Sequence, residues 1–87
     1  MYYVYLLRCA DGSLYCGYTD DLTRRVRIHN EGKGAKYTRS RRPVSLVYKE
    51  SFEEKRAALK REYAIKRLTR EEKLLLVRKQ ADAHDWI

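Results

Sequence analysis

Eighty-seven residues with a formal charge of +8 make a short, strongly basic chain, enough for one small domain (residues 1–87) with a thin core. A hydrophobic share of 44% that includes eight tyrosines is too high for a disordered tail, and one proline with four glycines is too few for low complexity. No apolar run approaches the roughly 18 residues of a membrane span, and residues 1–8 lack the basic front and cleavage site of a signal peptide, so a cytoplasmic protein without membrane contact is expected.

Residues 2–9 are rich in strand formers, and Ala10-Asp11-Gly12-Ser13 is a turn signal before a second run, Leu14-Tyr15-Cys16-Gly17-Tyr18. This pattern predicts a β-hairpin. Thr19, Asp20 and Asp21 then offer N-cap oxygens and negative charge for a helix over about residues 20–30, with Gly32 and Gly34 as stop signals. Residues 32–43 read as a basic loop ending in Pro43, and Val44-Ser45-Leu46-Val47-Tyr48 as a third strand. Ser51 with Glu54 has the spacing of a capping box and predicts a helix to about Leu68. Thr69 with Glu72 repeats the signature and opens a last helix to about Lys79. The tail, residues 81–87, carries Trp86, read as a hydrophobic lid. The predicted order is ββαβαα, an α+β fold with a three-stranded antiparallel sheet flanked by helices.

Cys9 and Cys16 lack CxxC spacing, and with two histidines they cannot complete a four-ligand zinc site unaided, so two reduced thiols are expected. The charge is unevenly spread. Lys33, Lys36, Arg39, Arg41 and Arg42 fall within ten residues without an anion, whereas residues 53–79 mix both signs like an ordinary solvated helix face. A basic block of this kind favours a polyanionic partner, nucleic acid above all, over a merely solubilising surface.

Polar groups also interrupt apolar faces. Leu22, Val26 and His29 follow the i, i+4, i+7 spacing of one buried stripe, and Arg25 lies on the same side. A snorkelling arginine and a structural histidine would satisfy that pattern as well. On the second long helix Glu62 sits between Ala58 and Ile65, with Lys66 four residues on as an available ion-pair partner. Most of the tyrosines would pack a small core, but a phenol can also stack on a base or move a proton.

Together these residues resemble the GIY-YIG endonuclease family. Tyr3-Val4-Tyr5 and Tyr15-Cys16-Gly17 correspond to the two halves of the naming motif, with Tyr3 in place of its glycine and Cys16 in place of its isoleucine. Leu22, Arg25, His29 and Asn30 follow its arginine and histidine pattern, and residues 58–66 resemble the helix that bears its metal-binding glutamate. The chain looks like the small stand-alone bacterial members, similar to the branch that cuts branched DNA.

The resemblance implies a hydrolase that cleaves DNA phosphodiester bonds, at branched or damaged structures in repair or recombination, leaving a 5′-phosphate and a 3′-hydroxyl. By the same resemblance Glu62 would hold one Mg²⁺ or Mn²⁺. Arg25 would neutralise charge on the phosphate, and Tyr5 or Tyr15 would activate or orient water with His29 drawing off the proton. Lys33, Lys36, Arg39, Arg41 and Arg42 would bind flanking phosphates of a DNA partner. A protein partner, usual where the family joins its nuclease domain to another, is not visible in the chain. The main alternative is a non-catalytic nucleic-acid-binding module with the same fold; an RNA- or ribosome-associated protein rests on charge alone.

The hairpin loop decides whether one site can use both phenols. A two-residue Asp11-Gly12 turn would send Tyr5 and Tyr15 to opposite faces. A three-residue loop, Ala10-Asp11-Gly12 with Gly12 left-handed, pairs Leu7 with Tyr15 and Tyr5 with Gly17. It places both phenols on one face, leaves space at Gly17 for substrate, and separates the two cysteines. That loop is the expectation, with both phenols facing Arg25 and His29.

Overall fold

Four consecutive apolar residues, Val4, Tyr5, Leu6 and Leu7, are all buried, which a strand permits only when both of its faces are covered. They form the middle of β1 (Tyr2–Arg8), the central strand of a sheet ordered β2-β1-β3. β2 (Leu14–Thr19) and β3 (Ser45–Phe52) pair with it antiparallel on either side. The computed structural model describes residues 1–85, so the proposed Trp86 lid lies outside the described residues.

The hairpin has the three-residue loop. The Cys9 amide donates to the Ser13 carbonyl at 2.9 Å, Gly12 adopts φ +83°, and Tyr5 pairs with Gly17 and Leu7 with Tyr15. A glycine suits that left-handed position because the Cβ of any other residue would crowd its own backbone there, although the space around it is open. The pairing with β3 slips by one residue between Leu6 and Leu7, so Val47 bulges from the ladder.

Alternation along β1 divides the core. On one face Val4, Leu6, Cys16 and Tyr48 meet Ala58 and Ile65 of α3 (Lys55–Lys66), with Leu76 and Val77 of α4 (Arg70–Asp85) packed alongside. On the other, Tyr5, Leu7, Cys9 and Val44 meet Leu22 and Val26 of α1 (Leu22–Asn30). The two thiols, being on opposite faces, are both free. The fold is therefore α+β, with helices on both faces of a three-stranded antiparallel sheet.

Several boundaries differ from those expected. Ser51 does not cap a helix: it lies in β3 opposite Tyr3, and α3 starts only at Lys55, behind Glu54, whose side chain makes no capping bond. The backbone groups of Tyr2 and Tyr3 need partners, and pairing with them extends β3 through a polar stretch of poor strand propensity. The basic loop contains a single helical turn, α2 (Lys36–Arg39), too short to show any apolar period. The order is thus ββααβαα. By contrast the Thr69–Glu72 capping box forms in both directions, at 2.9 and 3.2 Å, and α4 continues to Asp85 instead of ending near Lys79. No helix among the described residues is long and apolar enough to cross a membrane.

Gly17 does not leave room for substrate. The Tyr5 ring lies across it, and a Cβ there would overlap the phenol oxygen and its ring carbon. Gly17→Ala should therefore destabilise the protein by about 1–3 kcal/mol, the usual cost of overpacking a core. Urea unfolding measures it, and a variant as stable as the wild type would show that the Tyr5 ring does not need this gap.

Candidate active site at the edge of the sheet

α1 begins where the Asp21 carboxylate accepts from the Arg24 amide at 3.1 Å, and it buries one side against the sheet. That side ends in His29, which is 0% exposed. Its Nε2 lies 3.0 Å from the Tyr5 hydroxyl and its Nδ1 lies 2.9 Å from the Thr38 hydroxyl. The proton positions follow from one fixed acceptor. The Ala35 carbonyl can only accept, so the Thr38 hydroxyl donates to it at 3.0 Å and its oxygen is left to accept from His29 Nδ1–H. Nε2 then carries the lone pair and accepts a hydrogen bond from the Tyr5 hydroxyl. A directed chain results, running from Tyr5 through His29 and Thr38 to the Ala35 carbonyl.

Close packing holds this chain in place. A Cβ on Gly34 would overlap the His29 imidazole, so Gly34 serves as more than a helix stop. Tyr15 tilts against the same ring, with centroids 5.2 Å apart, and Tyr5 meets it edge-on at 6.1 Å. Arg25 is half-buried beside them. Tyr5, Tyr15, Arg25 and His29 thus occupy one face of the sheet.

Their electrostatics are set mainly by burial. Desolvation pushes the Tyr5 phenol up to about 12, with the Arg25 guanidinium opposing part of the rise. Desolvation also holds His29 below its ordinary value of 6.5, and the positive charge of Arg25 adds to that. Near neutrality the pair is a protonated phenol facing a neutral imidazole.

Glu62 belongs to the other layer, on α3. It is joined to Lys66 by an ion pair of 3.4 Å, and its side chain is 20% exposed. Its backbone carbonyl lies against the Cys16 thiol of β2, at 4.0 Å. Burial, with the Glu62 charge adding to it, pushes that thiol up to about 11, so Cys16 is no nucleophile. β2 is an edge strand, and a cleft of about 360 Å³ opens along it between Tyr15 and Tyr37 on one side and Lys66 and Lys73 on the other. At this edge Tyr37 of α2 and Lys66 of α3, from opposite layers, line one surface.

Among the described residues no three His, Cys, Asp or Glu side chains gather as a metal cage. A lone carboxylate does not suit zinc. It suits a hard ion that keeps most of its water and fills its remaining positions from phosphate oxygen.

The basic segment divides into two groups. Lys33, Lys36 and Arg39 are exposed. Arg41 instead is half-buried and donates to Asp11 at 3.0 Å and to the Tyr37 carbonyl at 2.8 Å, and Arg42, although exposed, donates to the Arg39 carbonyl at 2.8 Å. These two arginines tie the segment down, and the hairpin loop with it, since Ala10 N–H also donates to the Arg41 carbonyl. Nothing in the sequence marks Thr38, because a threonine inside a basic stretch carries no periodic signal. Tyr37 is equally unmarked.

The chain is similar to known proteins over most of its length. The GIY-YIG catalytic domain family model matches residues 1–74. A UPF0213 protein of Staphylococcus aureus strain Mu3 is 56% identical over 79 residues, which are 91% of this chain and 96% of that protein. The solution NMR structure of a UPF0213 protein from Bacillus halodurans is 51% identical, covers 88% of this chain and 83% of its own, and superposes with a TM-score of 0.57. A second NMR structure, of a protein from E. faecalis, is 44% identical over 92% of this chain and 85% of its own, with a TM-score of 0.61.

The buried histidine makes stability depend on pH. Because folding lowers its pKa, the unfolded chain binds the proton more readily. His29 thus contributes stability that is fully present above 6.5 and lost as the pH falls through the lower folded value. Urea midpoints should drop on acidifying below 6.5, and NMR should show the His29 ring still largely neutral at that pH. A ring that is half protonated at 6.5 or above would contradict the buried, neutral assignment.

Proposed function

Because the chain belongs to the GIY-YIG family, we propose that it is an endonuclease hydrolysing DNA phosphodiester bonds with one divalent ion, acting in the cytoplasm on branched or damaged DNA. The observation that carries this reading is the directed chain from Tyr5 through His29 to Thr38, with Arg25 beside it. The chain also stabilises the fold, but a phenol set to pass its proton to a neutral imidazole beside an arginine is what proton transfer at a phosphate uses and DNA binding alone does not need.

In this reading Arg25 draws the scissile phosphate in and offsets charge building on its oxygens, as a planar, permanently charged fork does well. Tyr5 cannot wait as a phenolate, since its proton is held to about pH 12. It acts as a base only by passing that proton to His29 Nε2 as it takes one from water. The imidazolium so formed keeps both N–H groups satisfied, one by the Tyr5 oxygen and one by Thr38. Tyr15, less buried than Tyr5, orients the water and the phosphate. Glu62 would hold Mg²⁺ or Mn²⁺ once Lys66 releases it. The ion's chemistry is Lewis-acid polarisation of the phosphate and stabilisation of the leaving 3′-oxygen. The products are a 5′-phosphate and a 3′-hydroxyl.

Replacement of Glu62 tests the reading. Glu62→Gln should abolish Mg²⁺-dependent cleavage of labelled branched and linear DNA while leaving affinity within about twofold, since only a charge on the metal side is removed. Cleavage at the wild-type rate would exclude Glu62 from the chemistry. Wild-type protein that binds DNA but cuts none with any divalent ion would favour the binding module.

Salt dependence tests the exposed cations. Each phosphate contact contributes roughly 0.9 to the log–log slope of affinity against salt on duplex DNA. Lys33→Ala with Lys36→Ala should flatten that slope without loss of stability, whereas Arg41→Ala should chiefly lower stability. An unchanged slope in the double variant would make this segment a solvated surface only.

A further inference from the structure

The cleft along the free edge of β2 shares Tyr15 and Lys66 with the chemistry just described, whereas Tyr37 and Lys73 have no part in it. Leu14 and Cys16 line it, Tyr15 and Tyr37 form one wall, and Lys66 and Lys73 form the other. At about 360 Å³ it is large enough for one nucleotide, and it is open to solvent. Two features suggest its occupant. The Tyr37 ring is 40% exposed although it is held firmly: the Arg41 guanidinium backs it at 4.0 Å, and Tyr15 stacks obliquely at 6.1 Å and 25°. Opposite, Lys66 reaches from α3 and Lys73 from α4, and both charges act on the Cys16 thiol. An exposed aromatic step facing two ammonium groups across a nucleotide-sized gap suits a base on one wall and a phosphate on the other. A duplex, whose bases are stacked internally, has no base to offer.

We propose that this cleft is a subsite for one unpaired nucleotide of a single-stranded segment, with its base against Tyr37 and Tyr15 and its phosphate on Lys66 and Lys73. The proposal rests on the endonuclease reading only in placing the subsite next to Glu62. Lys66 links the two: in the free protein it neutralises Glu62 at 3.4 Å, and a phosphate arriving in the cleft draws it away. Occupation of the subsite thereby frees the carboxylate for its ion.

The test measures binding in EDTA, where nothing is cut, by fluorescence anisotropy. The probes are a short oligothymidylate, an all-abasic strand of equal length, and a duplex. Tyr37→Ala should weaken the oligothymidylate about 5- to 150-fold, the range of one lost base–aromatic stack, and leave the abasic strand unchanged. Tyr37→Trp keeps a ring for Arg41 to pack on and should bind at least as tightly as wild type, which guards against a misfolded alanine variant. Lys73→Ala should weaken both single strands and reduce the log–log salt slope by roughly 0.7. Equal losses on the thymidylate and abasic strands for Tyr37→Ala, no loss on either, or a duplex that depends on these residues as strongly would overturn the subsite. Wild-type protein that shows these binding effects in EDTA but cuts no DNA when Mg²⁺ or Mn²⁺ is supplied would count against the endonuclease reading and leave the subsite standing.

Discussion

One steric constraint organises this molecule: the Tyr5 ring crosses the neighbouring strand at the one residue of β2 that has no side chain. Only with Gly17 opposite can a central-strand tyrosine lie flat enough to bring its hydroxyl to His29, 3.0 Å away. The hairpin loop sets that pairing, so a one-residue change of loop length would turn Tyr15 to the other face and remove Tyr5 from Gly17. Everything polar on the α1 side follows from this placement. Burial keeps the phenol protonated and the imidazole neutral, and Thr38 fixes which nitrogen faces the phenol. A buried polar chain is costly when incomplete, because each orphaned group forfeits its hydration. Here, among the described residues, no buried side-chain nitrogen or oxygen lacks a partner.

The second constraint is the narrowness of the sheet. With three strands, β2 is both a neighbour of the central strand and a free edge. Helices on opposite faces can then address the same strip of surface, α1 and α2 from one side and α3 and α4 from the other. Glu62, held by Lys66, and the Tyr5–His29 pair stand on opposite faces of this thin layer. The α3 side is braced separately: Arg61 grips Glu50 of β3 with two nitrogens near 3.0 Å, and Glu50 also accepts from the Tyr48 hydroxyl. That network sits one residue before Glu62 and fixes how α3 lies on the sheet. Basic charge is likewise divided by role, with Arg41 and Arg42 acting as internal ties and Lys33, Lys36 and Arg39 left open to solvent.

Much of this was legible in the sequence where a local rule had no competitor. The Ala10-Asp11-Gly12 loop and the Thr69–Glu72 box are each satisfied within a few residues of chain, so their signatures read through directly, and of the three cap candidates Thr19, Asp20 and Asp21 it is Asp21 that caps α1, which starts two residues later than expected. Ser51 and Glu54 have the same spacing but sit beside a strand that lacks a partner, and ladder hydrogen bonds with β1 prevailed over capping. The candidate site was legible as a set of residue types, but not its internal wiring. Arg25 and His29 stood out because they interrupt an apolar stripe. Thr38 and Gly34 matter only through contacts with His29, across nine and five residues of irregular chain, and no periodicity encodes such contacts. The missing side chain of Gly17 is plain in the sequence, but the space belongs to Tyr5 and not to a ligand.

The account stands or falls on whether the two helical layers serve one site at the β2 edge. Paramagnetic line broadening by Mn²⁺ tests this most directly, with isotope-labelled protein bound to a non-cleavable oligonucleotide. The account predicts broadening that is strongest at Glu62 on α3 together with Tyr15 and Cys16 across the edge, extends to Arg25, is weakest at the far end of α4, and is lost throughout in Glu62→Gln. Broadening confined to α3, or unaffected by Glu62→Gln, would contradict it.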